Sequence, residues 1–437
     1  MARALKDSGV PWIGEIPSTW NIMRLKFATI FVAGFAFKTD DFNNIGENVI
    51  KIGDIKPPSV VLSENAKVDI SSYNAGKLLP YKVKNGDYCI AMTGATIGKV
   101  GLVNFKETAY INQRVAKITT KDNFHSKYLY YYLCSQSFAE YIKIHIDSNS
   151  AQPNISNGTM QEFQFFLPNI NEQIVIINFL DKKCGKIEAL VENEEKIIDE
   201  LKEYKKSIIQ KTVTKGLSNA PLKDSNIEWI GKIPENWEVR KLKYLGSARN
   251  GLTYSPADMT DEGILVLRSS NIQDGSLSFN DNVFVNMQIP EELILQENDL
   301  LICSRNGSRE LIGKCALIDE KTAGNTFGAF MCIFRSQYNR FIYYVFQSNL
   351  FTFYLGNYLT ATVNQLTISN LNNMEIPITL DLEEQKAIVN YLDEKCGQID
   401  SLIKIKQKKI SELKEYKKSL IYEYVTGKKQ PPLKDKI

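Results

Sequence analysis

Histidine is almost missing from this chain: His125 and His145 are the only two in 437 residues. Neither belongs to an HExxH pattern or to a Cys/His cluster with zinc-ligand spacing, so the sequence writes no metal centre of those kinds. Seven cysteines, an odd number without a Cys-x-x-Cys pair, read as free thiols of a reducing cytoplasm. No run of about 18 apolar residues occurs, so no membrane-spanning helix and no membrane partner are expected. The stretch Met1-Ala2-Arg3-Ala4-Leu5-Lys6-Asp7 lacks the apolar core of a secretion signal. A large excess of one charge is missing too. Net +3 excludes a wholesale basic coat, though not a basic groove, because local field rather than total charge attracts nucleic acid. Catalytic signatures fail in turn. Between Gly307 and Gly313-Lys314 one residue too many intervenes for a phosphate loop, and Cys315 stands where Ser or Thr must follow. Gly94-Ala95-Thr96-Ile97-Gly98 matches no phosphate cradle, and no GxSxG elbow exists. Lys56-Pro57-Pro58-Ser59 is a turn, not the aromatic-ended tetrapeptide of amino-methyltransferases. Acidic residues are plentiful, but no spacing marks a two-carboxylate nuclease site.

What the chain does have, it has twice. Glu172-Gln173, Leu180-Asp181, Cys184-Gly185 and Leu201-Lys202-Glu203-Tyr204-Lys205-Lys206-Ser207 return as Glu384-Gln385, Leu392-Asp393, Cys396-Gly397 and Leu413-Lys414-Glu415-Tyr416-Lys417-Lys418-Ser419, a constant shift of 212 positions. A second block, Trp12-Ile13-Gly14-Glu15-Ile16-Pro17-Ser18-Thr19-Trp20, returns as Trp229-Ile230-Gly231-Lys232-Ile233-Pro234-Glu235-Asn236-Trp237, shifted by 217. A period above 200 residues means duplicated domains rather than a solenoid of short units.

Between these blocks each half reads as a mixed α/β lobe. Strands are expected at 49–53, 87–92 and 114–118, and at 264–268, 299–303 and 330–334, where Val, Ile, Leu, Tyr and Phe run together between Gly, Asn and Asp. An aromatic helix follows at Ser126–Ser135 and at Asn339–Gln347. Side chains of the types that read base edges gather at strand ends and turns. In the first lobe they are Lys51, Asp54, Thr93, Thr96, Lys99, Gln152 and Asn154, with Asn112, Gln113 and Arg114 nearby. In the second they are Arg268, Ser269, Asn271, Ser304, Arg305, Asn306, Ser308, Arg309, Asn364 and Gln365. Ordinary polar hairpin loops would look the same.

The 212-shifted block reads as one long helix in each half. Ile187, Leu190, Ile197, Leu201, Tyr204 and Ile208, with Glu194 in the vacant slot, step by three and four, a heptad seam. Ile399, Leu402, Leu413, Tyr416 and Leu420 repeat it, with Lys406 and Lys409 in the remaining slots. The first seam is flanked by acids where the second is flanked by lysines, the pattern by which two helices choose each other. Two helices lying separately on their own lobes are the other arrangement the spacing allows. The basic clusters at both helix ends suit either phosphate contact or the helix C-terminus. The fold expected is therefore α+β: two mixed α/β lobes joined by two long helices, with a pseudo-two-fold internal repeat. Its divisions fall at 1–168, 169–216, 217–380 and 381–437.

Taken together, the paired opening blocks, the paired helices, Asn154-Ile155-Ser156 and Thr367-Ile368-Ser369 before each terminal Pro, and the duplication itself resemble the specificity subunit of type I restriction–modification enzymes. The resemblance spans nearly the whole chain. It implies that residues 1–168 and 217–380 are target recognition domains, each reading one half of a split, asymmetric double-stranded DNA site. It further implies that the helices form an antiparallel coiled coil. Two methyltransferase subunits dock on such a scaffold, and two restriction subunits join them. S-adenosylmethionine, ATP and Mg then belong to those partners, and this chain is no enzyme. A protein-interaction scaffold without DNA contact is the competing reading.

Overall fold

An apolar run without polar alternation suits a strand covered on both faces, and Tyr88–Ala91 and Leu300–Cys303 are buried at every position. In the computed structural model, which describes residues 3–10, 13–121, 124–146, 153–358 and 365–432, they are central strands of two equivalent sheets. The chain divides into two compact units, residues 1–194 with 408–437 and residues 195–407. That boundary cuts both long helices, Ile170–Lys215 and Leu382–Val425. Each unit is one lobe with part of both helices.

In the first unit, Tyr88–Ala91 pairs antiparallel with Val100–Leu102 and with Val115–Thr120, which in turn pairs with Thr29–Ala33. Alternate side chains take opposite faces. Tyr88 and Ile90 join Tyr128, Tyr132 and Phe138 from the helices Ser126–Leu133 and Gln136–His145. Cys89 and Ala91 join Ile50, Ile111 and Val115 on the other face. There Glu47–Ile50 runs parallel to Ala109–Ile111 in a second, smaller sheet.

The second unit repeats this plan. Leu300–Cys303 lies between Cys315–Leu317 and Met331–Arg335, with Ser247–Asn250 beyond. Leu300 and Ile302 face Phe341 and Val345 of the helix Asn339–Gln347, while Leu301 and Cys303 face Leu267 and Phe327. Ile264–Leu267 runs parallel to Thr326–Phe327. Each such buried Leu, Ile, Val or Phe contributes about 1.5–3 kcal/mol. Two details depart from expectation. Strand Met331–Arg335 starts one residue late, leaving Phe330 on the loop before it. The second helix of each aromatic pair, Gln136–His145 and Asn349–Tyr358, has no counterpart in the sequence reading.

The repeated text has a bonding reason. Trp20 Nε1 donates to Glu172 Oε2 at 3.1 Å, and Trp237 Nε1 to Glu384 Oε1 at 2.9 Å. Gln173 Nε2 donates to Pro168 O, and Gln385 Nε2 to Thr379 O. Asp181 accepts from Tyr131 Oη at 2.6 Å and Lys127 Nζ at 2.7 Å. Asp393 accepts from Tyr344 Oη at 2.5 Å and Arg340 at 2.6 Å. So Glu-Gln and Leu-Asp are where each lobe is clasped to its helix. The helices stop at Gly216 and Gly427, whose φ of +67° and +74° suit glycine. A Cβ there would meet Trp237 at 3.3 Å in the second unit and Pro17 at 2.5 Å in the first.

Burial along each long helix has a heptad period, with a membership other than the one expected. Burial steps through Leu180, Cys184, Ile187, Val191, Glu194, Ile198, Leu201, Lys205 and Ile208 in the first helix. In the second it steps through Leu392, Cys396, Ile399, Ile403, Lys406, Ile410, Leu413, Lys417 and Leu420. These are four-three steps from Ile187, where the sequence reading took three-four. Leu190, Tyr204, Leu402 and Tyr416, assigned to the seam, are therefore exposed, and Ile197 lies beside the buried Ile198. Lys409 likewise points out of its slot. Heptad spacing alone does not say which neighbour of an a position is the d. Here Val191, Ile198, Ile403 and Ile410 face inward beside Lys205 and Lys417. Within the first unit Lys417 Nζ donates to Glu188 Oε1 at 2.5 Å and Lys409 Nζ to Glu194 Oε1 at 2.7 Å. Partner numbers fall as helix numbers rise, so these two stretches run antiparallel. Within the second unit Lys205 Nζ donates to both oxygens of Asp400, at 2.7 and 2.8 Å. Among the described residues no helix is long and apolar enough to cross a membrane.

Candidate nucleic-acid interface

The central strand of each lobe ends in a corner where loops meet. In the first lobe Met92 N donates to Arg114 O at 3.0 Å, Gly94 N to Pro153 O at 2.8 Å, and Ile155 N to Met92 O at 3.2 Å. Thr93 and Asn154 form an antiparallel bridge. Asn112 N donates to Ile50 O at 3.0 Å, which brings Lys51 alongside. Thr93, Thr96, Lys99, Arg114, Asn154 and Lys51 are so gathered from four separate stretches. Gly94, with φ +72°, lets the chain turn back into the short helical turn Gly94–Thr96. Lys51 Nζ stands 3.7 Å above the Phe42 ring. Thr93 Oγ1 is buried with no hydrogen-bond partner among the described residues.

The second lobe has the same corner with different chemistry. Ser304 N donates to Phe330 O at 3.0 Å, Leu366 N to Ser304 O at 2.7 Å, and Gly328 N to Leu267 O at 2.9 Å. Arg305 bridges Gln365, as Thr93 bridges Asn154. Asn306 Nδ2 donates to Ser269 Oγ at 3.1 Å, tying the two loops side chain to side chain. Ser308 and Arg309 are exposed further along the same loop. Arg268 is held by Asp281 at 2.9 Å.

Three assigned residues are interior instead. Asp54 is 3% exposed and accepts from Lys51 N at 2.7 Å and from Ser63 Oγ. Asn271, wholly buried, accepts from Arg268 N at 2.9 Å and donates to Ser278 O, Asp281 O and Asn282 Oδ1. Ser304 is buried and gives its hydroxyl to Phe330 O at 3.0 Å. Asp54 and Asn271 occupy the same place in the two lobes, each capping a short turn after a strand. A polar residue closing a turn looks in sequence like one offered to a ligand. Gln152 and Asn364 lie outside the described residues. Phe330, expected within the strand 330–334, lies on the loop before it and belongs to this corner. Its bond to Ser304, like that of Arg114 to Met92, places it at the position of Arg114, a correspondence carried by the loop geometry.

Among the described residues no group of three or more His, Cys, Asp or Glu is placed to hold a metal ion. The cysteines are free, and burial pushes the thiols of Cys184 and Cys396 up to about 11.

Two lobes with one framework and two sets of loop chemistry fit a family built on duplicated recognition domains. The chain belongs to the type I restriction modification DNA specificity domain family, which it matches at residues 17–203 and 234–426. It is 28% identical over 291 residues to the MjaVIII specificity subunit of Methanocaldococcus jannaschii, covering 63% of this chain and 64% of that one. With the EcoBI specificity subunit of Escherichia coli it shares 22% over 424 residues, 92% of this chain and 85% of that one. One solved chain, from work on complex assembly and conformational transition of the type I R-M system, superposes with a TM-score of 0.65 at 15% identity, covering 94% of this chain and 99% of the other.

Proposed function

We propose that this chain reads a bipartite, asymmetric double-stranded DNA target, one half-site per lobe, for a type I restriction–modification enzyme. The observation that carries this is the duplicated corner. The backbone bonds around Met92 and Ser304 are the same, while Thr93, Arg114 and Asn154 in the first lobe correspond to Arg305, Phe330 and Gln365 in the second. A conserved frame with exchanged side chains is what two different base sequences require. Arg suits guanine, Asn and Gln suit adenine, and Thr suits either. Lys51, Lys99 and Arg309 supply charge for phosphates, a sequence-blind attraction that fixes register.

The long helices act as an antiparallel coiled coil that sets the gap between half-sites, supported by the four-three seam and the ion pairs within each unit. Two methyltransferase subunits dock on this scaffold and restriction subunits join them in the cytoplasm. S-adenosylmethionine, ATP and Mg are bound by those partners, so the chain itself forms and breaks no bond.

The test is methylation of a random DNA pool by this chain with its partner methyltransferase. A split motif is expected, and Arg305→Ala changes only one of its halves, at a cost of about 1–3 kcal/mol. A pool without an enriched split sequence would refute the reading and leave a protein scaffold in its place.

A further inference from the structure

Phe330 has 60% of its surface exposed. Its structural duty is done by its backbone: the carbonyl accepts from Ser304 N, Arg305 N and Ser304 Oγ, each at 3.0 Å. Among the described residues its ring lies outside the apolar clusters of the second lobe. What the ring does meet is the guanidinium of Arg305, whose Cζ sits 5.3 Å from the ring centroid. The three bonds to one carbonyl hold the two loops together, so the backbones that carry ring and guanidinium keep their mutual placement.

Arg305 is the right group to be held so. It is exposed and, among the described residues, no carboxylate pairs with it, whereas Arg268 nearby is bound to Asp281 at 2.9 Å. An aromatic face satisfies the flat face of a guanidinium without using its N–H donors. A guanidinium stacked on the ring by its face keeps its planar edge of donors free, the geometry that matches two adjacent acceptors on a guanine. In the first lobe the same loop position is Arg114 and the Arg305 position is Thr93, so no such pair forms there.

We propose that Phe330 is a positioning residue that holds Arg305 edge-on for a guanine in the half-site read by the second lobe. The proposal rests on the DNA-reading function above. A ring in this place narrows the rotamers of a long side chain before DNA arrives, so less order is lost on contact.

The test uses the full chain assembled with its partner methyltransferase on a pool with both half-sites randomised. Arg305→Ala is expected to erase a guanine preference at one position of one half-site. Phe330→Ala and Phe330→Leu weaken that preference about threefold to tenfold, Phe330→Trp keeps it, and the double variant F330A/R305A is no worse than R305A. The other half-site stays unchanged in every variant, and melting temperature is unchanged because Phe330 is exposed. If R305A alters the half-site and F330A does not, the positioning role is refuted while DNA reading stands. If F330L keeps the preference as well as F330W, the ring's electrostatic role is refuted. If R305A weakens all sequences equally and lowers the salt dependence, Arg305 holds a phosphate and the guanine assignment is refuted. A wild-type complex that selects no split sequence would refute the function itself.

Discussion

Trp237 Nε1 lies 2.9 Å from Glu384 Oε1, 147 residues further along, and Trp20 makes the same bond to Glu172 across 152 residues. The opening block and the long helix thus meet in both units, although the first lobe is five residues longer between them. This is why both blocks repeat and why their shifts differ.

Removing one acceptor tests the clasp. Glu384→Ala leaves the buried indole N–H of Trp237 without a partner, at a cost of about 1–3 kcal/mol. Hydrogen exchange should show the loss in residues 217–380 and not in 1–168. Glu384→Gln keeps an acceptor and recovers most of it. An even loss over both lobes would mean the bond is not what ties the second lobe to its helix.

The seam makes a sharper claim, because neighbouring residues have opposite fates. Ile403 is 9% exposed and Leu402 46%. Ile403→Ala should cost about 2–4 kcal/mol in urea unfolding, and Leu402→Ala less than about 0.5 kcal/mol. A larger loss at Leu402 than at Ile403 would restore the three-four seam.

These pairs show where sequence legibility stopped. Duplication, the two lobes, the long helices and the central strands were readable because each is written over many residues by period or repeat. The d positions were not. Leu190 and Val191 are both apolar, and choosing between them needs to know where the partner helix lies. Asp54 and Asn271 misled because a carboxylate or amide closing a turn has the composition of a binding residue. Phe330 was overlooked for the opposite reason: an aromatic residue before a strand looks like core, and only loop geometry exposes it.

Alkaline pH separates the lobe clasps from ordinary tyrosines. Burial first, and then the bond to Asp181 or Asp393, raises Tyr131 and Tyr344 well above the usual phenol value of 10.0. Both favour the protonated form when folded. Their contribution is therefore complete below about pH 10 and lost as pH rises beyond it, by up to about 1.4 kcal/mol per unit for each. The double variant Y131F/Y344F should show a melting temperature lower at pH 8 but falling less steeply above pH 10. An unchanged slope would mean that these phenols ionise normally.

The outward-facing tyrosines bear on partner number. Tyr416, with Phe179 and Leu420, lines a groove of about 480 Å³ in the first unit. Tyr204, with Tyr391 and Ile208, lines one of about 380 Å³ in the second. All three pairs match at the 212-residue shift. Tyr416 and Tyr204 are 55% and 59% exposed, so folding does not explain why the repeat keeps them. Two like grooves suit two copies of one methyltransferase. Tyr416→Ala is expected to leave the unfolding midpoint in place and reduce the bound methyltransferase from two copies to one by native mass spectrometry. Y204A/Y416A should bind none. A single variant that still holds two copies, or loses both, would place the docking surface elsewhere on the helices.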